Sequence, residues 1–171
     1  MSKTKSITPI EKSKNPIGAG VDIGHVHLKT ADIDRIYSFY VGILGFDVVA
    51  RMDTALFLSS GGYHHHLAFN TWESKGGKAP ATGTTGLYHV AIRYPTRKSL
   101  ADALVRLEQA GWPLDGTSDH GTHEALYLRD PDSNGLELYW DRPVSDWPRD
   151  GEGHLMFENS RLDLDDLRSN I

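Results

Sequence analysis

The histidines are the residues of this sequence whose types and spacing most clearly indicate acid-base chemistry. Three of the nine are consecutive, His64-His65-His66, and they open an apolar run that continues to Trp72. Side chains of a half-buried strand alternate between its two faces, so we expect His64 and His66 on one side and His65 on the other. At least one imidazole must then face whatever the strand encloses, and this predicts an acid-base group in a pocket.

Two further histidines and one glutamate lie in other strand-like stretches. His25 falls in Ile23–Leu28, His89 in Leu87–Ile92, and Glu137 in Gly135–Trp140. Two imidazoles and a carboxylate suit a divalent ion such as Fe(II), Mn(II), Zn(II) or Ni(II). We therefore predict that His25, His89 and Glu137 hold a metal, with the triple-histidine strand beside it. His27 is an alternative to His25, because residues two apart on a strand share a face.

The order of predicted elements occurs twice. Asp32 or Thr30 can cap a helix over 33–43 that Gly45 ends, and a second helix over 98–110 ends at Gly111. His25 and His89 occupy the same place in the two halves. The predicted strands are 21–29, 46–52, 55–59 and 64–71 in the first half, and 88–93, 113–115, 124–129 and 136–140 in the second. An internal βαβββ repeat follows.

This pattern predicts an α+β fold with three regions along the chain. Residues 1–20 are rich in Lys, Ser, Pro and Gly and read as a flexible segment. Residues 21–143 form the folded domain, with modules at about 22–72 and 87–141. Residues 144–171 are predicted to be a tail that packs on the domain or on a partner subunit, with Asp163 able to cap a short helix.

Composition excludes several classes of function. The net charge of −5 and the pI of about 5.9 offer no basic footprint for nucleic acid. The absence of cysteine excludes disulfides, thiolate metal sites and a cysteine nucleophile. No apolar run is long enough to cross a membrane, and the first residues lack an apolar signal core. We expect a soluble, cytoplasmic protein without nucleic-acid or membrane partners.

Three stretches resemble the sequence motifs of a known family. These are Gly24–Leu28 (GHVHL), Phe39–Phe46 (FYVGILGF) and Asp130–Tyr139 (DPDSNGLELY). With the doubled βαβββ unit, they resemble the vicinal oxygen chelate superfamily over about residues 22–143. The resemblance implies two modules that form an open, eight-stranded, barrel-like sheet around a metal, with His25, His89 and Glu137 as its ligands.

Within that superfamily the chain is most similar to the type I extradiol dioxygenases, the catechol 2,3-dioxygenase group. His65 stands where that group keeps its acid-base histidine, although His64 or His66 could face the site instead. His120 matches a histidine near the substrate, with His123 as the alternative. Tyr127, ten residues before Glu137, matches a tyrosine that hydrogen-bonds a substrate oxygen.

The resemblance implies cleavage of a catechol-type aromatic diol with O2, using Fe(II) or, as a second choice, Mn(II), in aromatic compound catabolism. His65 would move substrate protons, while Tyr127 and His120 would orient a ring oxygen. Many relatives have two domains, so we also expect subunits to associate into a homo-oligomer.

Other readings of the same fold stay open. A glyoxalase-type isomerase would take a fourth ligand from the first half, such as His64 or His66, and Glu73 is another candidate because it lies 64 positions before Glu137. A drug-binding resistance protein would need no metal. Thiol transfer to fosfomycin would need a potassium-binding loop, and no such loop is distinct in the sequence.

Overall fold

The computed structural model describes residues 12–171 and the backbone of a short strand, β1 (Lys5–Ser6). The remaining part of the predicted flexible segment, residues 1–4 and 7–11, lies outside the described residues.

The first module is a four-stranded sheet with one helix. Its elements are β2 (Val26–Lys29), α1 (Ile33–Tyr40), β3 (Asp47–Met52), β4 (Ala55–Ser59) and β5 (Leu67–Asn70). The strand order is β2-β5-β4-β3, with β2 parallel to β5 and the other pairs antiparallel. Asp32 caps α1, since its carboxylate accepts hydrogen bonds from the backbone of Asp34 and Arg35.

The second module repeats this topology. Its elements are β6 (Val90–Arg93), α2 (Arg97–Gln109), β7 (Gly116–Asp119), β8 (His123–Arg129) and β9 (Gly135–Asp141). The order is β6-β9-β8-β7, with β6 parallel to β9. The predicted α+β class and the two modules are confirmed. Among the described residues, strand pairing does not join the two sheets, so they are not closed into one another.

Three predicted strands differ in position. The strand predicted over 21–29 begins only at Val26, so His25 lies outside it. The strand predicted over 113–115 lies at Gly116–Asp119, and the strand predicted from His64 begins at Leu67. Gly61 and Gly62 both have positive φ, so the chain is still completing a turn as it approaches the histidines. His64 to His66 therefore form the approach to β5 rather than its first residues.

The core lies between the helices and the inner faces of the sheets. Ile36, Phe39 and Tyr40 of α1 and Leu100, Leu104 and Leu107 of α2 are almost completely buried. The modules meet where α1 contacts the turn between β8 and β9. The Tyr40 hydroxyl donates to Asp130 at 3.1 Å, and Thr30 and Arg35 both bind Asp132.

The C-terminal residues fold back on the second module. A 3-10 helix (Val144–Asp146) leads to β10 (Met156–Phe157), which pairs with β1, and to α3 (Leu164–Arg168), which Asp163 caps as predicted. Leu162 and Leu167 are buried, and Arg168 pairs with Glu108 of α2. None of the helices in the described part of the chain has the length and apolar character needed to cross a membrane.

Candidate metal centre and pocket

Glu137 lies at the centre of a polar cluster in the second module. It is on β9, 92% removed from solvent, and β9 runs parallel to β6, which His89 immediately precedes. Gly135 allows the two strands to approach, because a Cβ there would lie 2.1 Å from the Tyr88 carbonyl oxygen. His89 Nε2 is 3.1 Å from Glu137 Oε2. The fold thus brings two of the three predicted ligands together.

The neighbouring strand β8 adds two more partners of Glu137. Tyr127 is directly opposite Glu137 in the β8–β9 register, and its hydroxyl donates to Oε1 at 2.9 Å. His123 Nε2 lies 3.3 Å from the same oxygen. Burial opposes ionisation of Glu137, but hydrogen bonds from His123 and Tyr127 and the nearby imidazoles outweigh it and lower its pKa. Burial and the adjacent carboxylate raise the pKa of Tyr127.

His120 continues this chain of contacts toward the C-terminal tail. Its Nε2 is 2.9 Å from the Tyr127 hydroxyl and its Nδ1 is 3.1 Å from the Glu158 carbonyl oxygen. In the neutral tautomer that donates from Nδ1 to Glu158, Nε2 must accept, and Tyr127 then shares one proton between His120 and Glu137. Tyr127 and His120 are therefore placed to hold or transfer a proton beside Glu137.

We call His89, His120, His123, Tyr127 and Glu137 the Glu137 cluster. One donor atom from each of His120, His123 and Glu137 lies within 4.8 Å of the others, and His89 contacts the second carboxylate oxygen. Imidazole nitrogens around a carboxylate are a donor set that divalent transition metals accept, so these residues fit a metal. The sequence had offered His123 only as a substitute for His120, whereas the structure places both beside Glu137.

Three histidines of the first module form a separate group, which we call the His65 cluster: His25, His64 and His65. The His25 and His65 ring centroids are 4.4 Å apart, and the Nδ1 atoms of His64 and His65 are 2.9 Å apart. Partial desolvation and, to a smaller extent, the neighbouring imidazoles lower the pKa of His65. Within residues 12–171, no hydrogen bond or ion pair joins the His65 cluster to the Glu137 cluster.

The other candidate ligands have local partners. His27 Nε2 is 2.8 Å from the Asn70 amide, and His66 Nδ1 accepts from the Ser60 backbone at 3.2 Å, which secures the turn. Glu73 is exposed and pairs with Lys29 at 2.6 Å, and that hydrogen bond lowers its pKa. Residues 27, 66 and 73 thus serve contacts on the first module's own surface.

A cleft of about 440 Å³ opens beside the Glu137 cluster. His89, His120 and Tyr127 line one side. Polar residues from β7 and the residue before it, the end of β8 and the C-terminal tail also line the cleft: Asp115, Thr117, Ser118, Arg129 and Asn159. The cleft therefore joins the candidate metal ligands to a surface rich in hydrogen-bonding groups.

Comparison with known proteins places this arrangement in a family. The Glyoxalase/Bleomycin resistance protein/Dioxygenase superfamily matches residues 22–138, and the chain belongs to that superfamily. A Bacillus subtilis protein named catechol-2,3-dioxygenase is 39% identical over 145 residues, which are 85% of this chain and 50% of that relative. A Rhodococcus globerulus protein named biphenyl-2,3-diol 1,2-dioxygenase 3 is 32% identical over 70% of this chain and 63% of its own length. The chain thus spans about half to two thirds of these relatives.

Solved structures agree on the fold. A glyoxalase/dioxygenase from Nostoc punctiforme superposes with a TM-score of 0.61 over 77% of this chain and 100% of that one, at 16% identity. A lactoylglutathione lyase from Agrobacterium tumefaciens superposes with a TM-score of 0.57 over 72% of this chain and 96% of its own, at 18% identity. At such identities the likeness concerns the fold. Two of the relatives above are named as dioxygenases.

Proposed function

We propose that this protein is a metal-dependent extradiol dioxygenase that cleaves a catechol-type aromatic diol with O2. One observation carries the proposal: His89 and Glu137 meet at 3.1 Å, with Tyr127 and His120 in a continuous chain of contacts beside them. Four of the six predicted site residues therefore converge. The similarity to proteins named catechol-2,3-dioxygenase and biphenyl-2,3-diol 1,2-dioxygenase supports the same chemistry.

For the metal we propose His25, His89 and Glu137 as ligands, with Fe(II) as the ion and Mn(II) as an acceptable substitute. When bound, such an ion would hold both diol oxygens, favour their ionisation and bring O2 beside the ring. His123 already contacts Glu137, so it is the residue that would replace His25 if the second module holds the metal alone.

The remaining residues act on protons and on the position of the substrate. His65 would take a proton from the diol and return it during ring opening, a role suited to imidazole. Tyr127 and His120 would hydrogen-bond a substrate oxygen and hold the proton that they already share with Glu137. The carbon–carbon bond next to the diol breaks, and both atoms of O2 enter the ring-opened hydroxymuconic semialdehyde-type product.

The decisive experiment is anaerobic loading with Fe(II), followed by catechol, 3-methylcatechol and 2,3-dihydroxybiphenyl in aerated buffer. We expect oxygen uptake and a yellow ring-opened product. His89→Ala should lose both metal and activity. His65→Ala should retain the metal and lose about 10²- to 10⁴-fold in kcat, the usual range for a general acid-base group. Stoichiometric metal without oxygen uptake from any diol would contradict the proposal.

One observation favours a second candidate, a glyoxalase-type isomerase. Such an enzyme would use a fourth protein ligand, and the Glu137 cluster offers three imidazoles around one carboxylate. Metal binding that weakens in His120→Ala and in His123→Ala as much as in His89→Ala, together with turnover of a glutathione hemithioacetal, would support the isomerase.

A further inference from the structure

The C-terminal tail supplies part of the cleft wall. Asp119 and Ser160 exchange two backbone hydrogen bonds, of 2.8 and 3.0 Å, so the tail extends the second sheet at the free edge of β7. Glu158 N–H donates to the His120 carbonyl at 3.2 Å, and the Glu158 carbonyl faces His120 Nδ1. Residues 158–160 are therefore held beside the Glu137 cluster by main-chain contacts.

Asn159 is the tail residue that lines the cleft. Its Oδ1 accepts a 2.5 Å hydrogen bond from the hydroxyl of Ser118, a residue that is 95% removed from solvent. This contact orients the amide, and no other residue in 12–171 forms a hydrogen bond with its Nδ2 group. A fixed donor thus remains available beside His120 and Tyr127.

The surroundings of this amide favour a polar partner. Thr117 and the Arg129–Asp115 ion pair, 2.8 Å between Nε and Oδ2, line the same cleft. Because that pair neutralises its own charges, the wall offers hydrogen bonds and little net charge. A group that accepts a hydrogen bond would gain from contact with the amide, whereas an alkyl group of equal size would desolvate it without compensation.

We propose that Asn159 and Ser118 form a substituent-recognition subsite, in which the Asn159 amide donates to a carbonyl-type acceptor on the bound diol. The inference rests on the proposed function and adds the substrate class: catechols that carry an acceptor group. Asn159 is the recognition residue, and Ser118 is a positioning residue that acts through it.

The test uses pairs of diols that match in shape. 3,4-Dihydroxyacetophenone is paired with 4-isopropylcatechol, and 2,3-dihydroxyacetophenone with 3-isopropylcatechol, so that either ring position can be examined. Dissociation constants are measured by calorimetry without oxygen, on the Fe(II)-loaded full chain. The acetyl group alters the acidity of the diol equally in every variant, so the change in the acetyl-to-isopropyl affinity ratio from one variant to another isolates the contact.

The informative variant is Asn159→Asp, which can still accept from Ser118 but has no donor. We expect the acetyl-to-isopropyl affinity ratio of one pair to fall by about 5- to 10-fold from wild type to Asn159→Asp, the effect of one neutral hydrogen bond. Ser118→Ala should reduce it by about 2- to 3-fold because the amide can then rotate. Asn15→Asp, the same change at an exposed residue, should leave it intact.

Steady-state kinetics adds a second readout. The acetyl substrate should lose affinity in KM, with kcat unchanged, because the contact is made equally in the ground and transition states. An acetyl-to-isopropyl ratio that is the same in wild type, Asn159→Asp and Asn159→Ala would overturn the subsite while diol cleavage remained. A wild type that binds none of the four diols would instead remove the proposed function, and the subsite with it.

Discussion

The two modules have the same strand framework and different polar residues at matching positions. In the second, Glu137 pairs with Ala91 on one side and Tyr127 on the other. In the first, the equivalent residue Ala68 pairs with His27 and Phe57. The same strand pairing therefore forms with alanine and phenylalanine at these positions as with glutamate and tyrosine.

This internal comparison separates folding from function. A buried carboxylate costs free energy unless hydrogen bonds and charges compensate for it, and Ala68 shows that the framework forms without one. Glu137, Tyr127 and their histidines are thus unnecessary for the topology of a module. At this position of the strand framework the first module has alanine, and the second supplies a carboxylate.

The turn between the last two strands differs as well. In the second module it is Asp130–Asn134, whose aspartates bind Tyr40 and Arg35 of α1 in the first module. In the first module the corresponding connection is Ser60–His66, which carries the three histidines. One connection holds the modules together, and the other carries three imidazoles.

The largest effect on metal affinity is expected from replacing Glu137 with alanine, the residue at the matching position of the first module. Glu137→Ala should lower Mn(II) affinity by at least about 100-fold, because the charged ligand is removed. Replacing a residue that only hydrogen-bonds a ligand typically lowers metal affinity by about 10- to 100-fold. Circular dichroism should be unchanged, since alanine fits the matching position. Calorimetry measures the affinity, and Glu73→Ala, which removes an exposed carboxylate, is the control. Retained affinity in Glu137→Ala would place the metal elsewhere.

Removing one histidine from each module tests whether the site spans both. If His25 is a ligand, His25→Ala and His89→Ala should each lower Mn(II) affinity by about 10- to 100-fold or more. Calorimetry at constant pH measures both, with His154→Ala as the matched control outside the two clusters. A loss in His89→Ala and His123→Ala, with His25→Ala unaffected, would show that the second module binds the metal alone.

A smaller effect is expected from Tyr127→Phe, which reproduces Phe57 at the matching position. The Glu137 carboxylate keeps its histidine partners, so metal affinity should change by less than about 10-fold. The rate constant kcat should fall by about 10²-fold, because a donor to the substrate oxygen is lost. Oxygen uptake measures the rate, and Tyr94→Phe is the control. Unchanged kcat in Tyr127→Phe would exclude this residue from the reaction.

The smallest effect concerns the contact between modules. Tyr40→Phe removes the hydroxyl that donates to buried Asp130, and should lower the free energy of unfolding by about 1–2 kcal/mol. Urea denaturation measures the change. Tyr37→Phe on the same helix has no hydroxyl contact to lose among residues 12–171 and should stay within about 0.5 kcal/mol of wild type. Equal losses in both variants would argue against a specific role for the Asp130 contact.

Local sequence determined the elements and their repetition. Hydrophobic periodicity and the caps at Asp32 and Asp163 are local signals, and each corresponds to an element in the structure. The 64-residue offset of His25 and His89 indicated the repeat of the two modules. The sequence singled out Glu137 as a carboxylate on a predicted strand within a repeated unit, whereas Tyr127 and His120 were predicted only from the resemblance to the extradiol dioxygenases.

Only the tertiary structure decided which of these residues meet. Glu137 contacts His89, 48 positions away, because β6 and β9 pair in parallel, and parallel pairing is a long-range property that no local pattern encodes. The position of His123 beside Glu137 depends on strand register, and the position of Asn159 beside Ser118 depends on a tail that returns to a residue 41 positions earlier. Residue types determined what chemistry was available, and the pairing of distant strands determined where it was assembled.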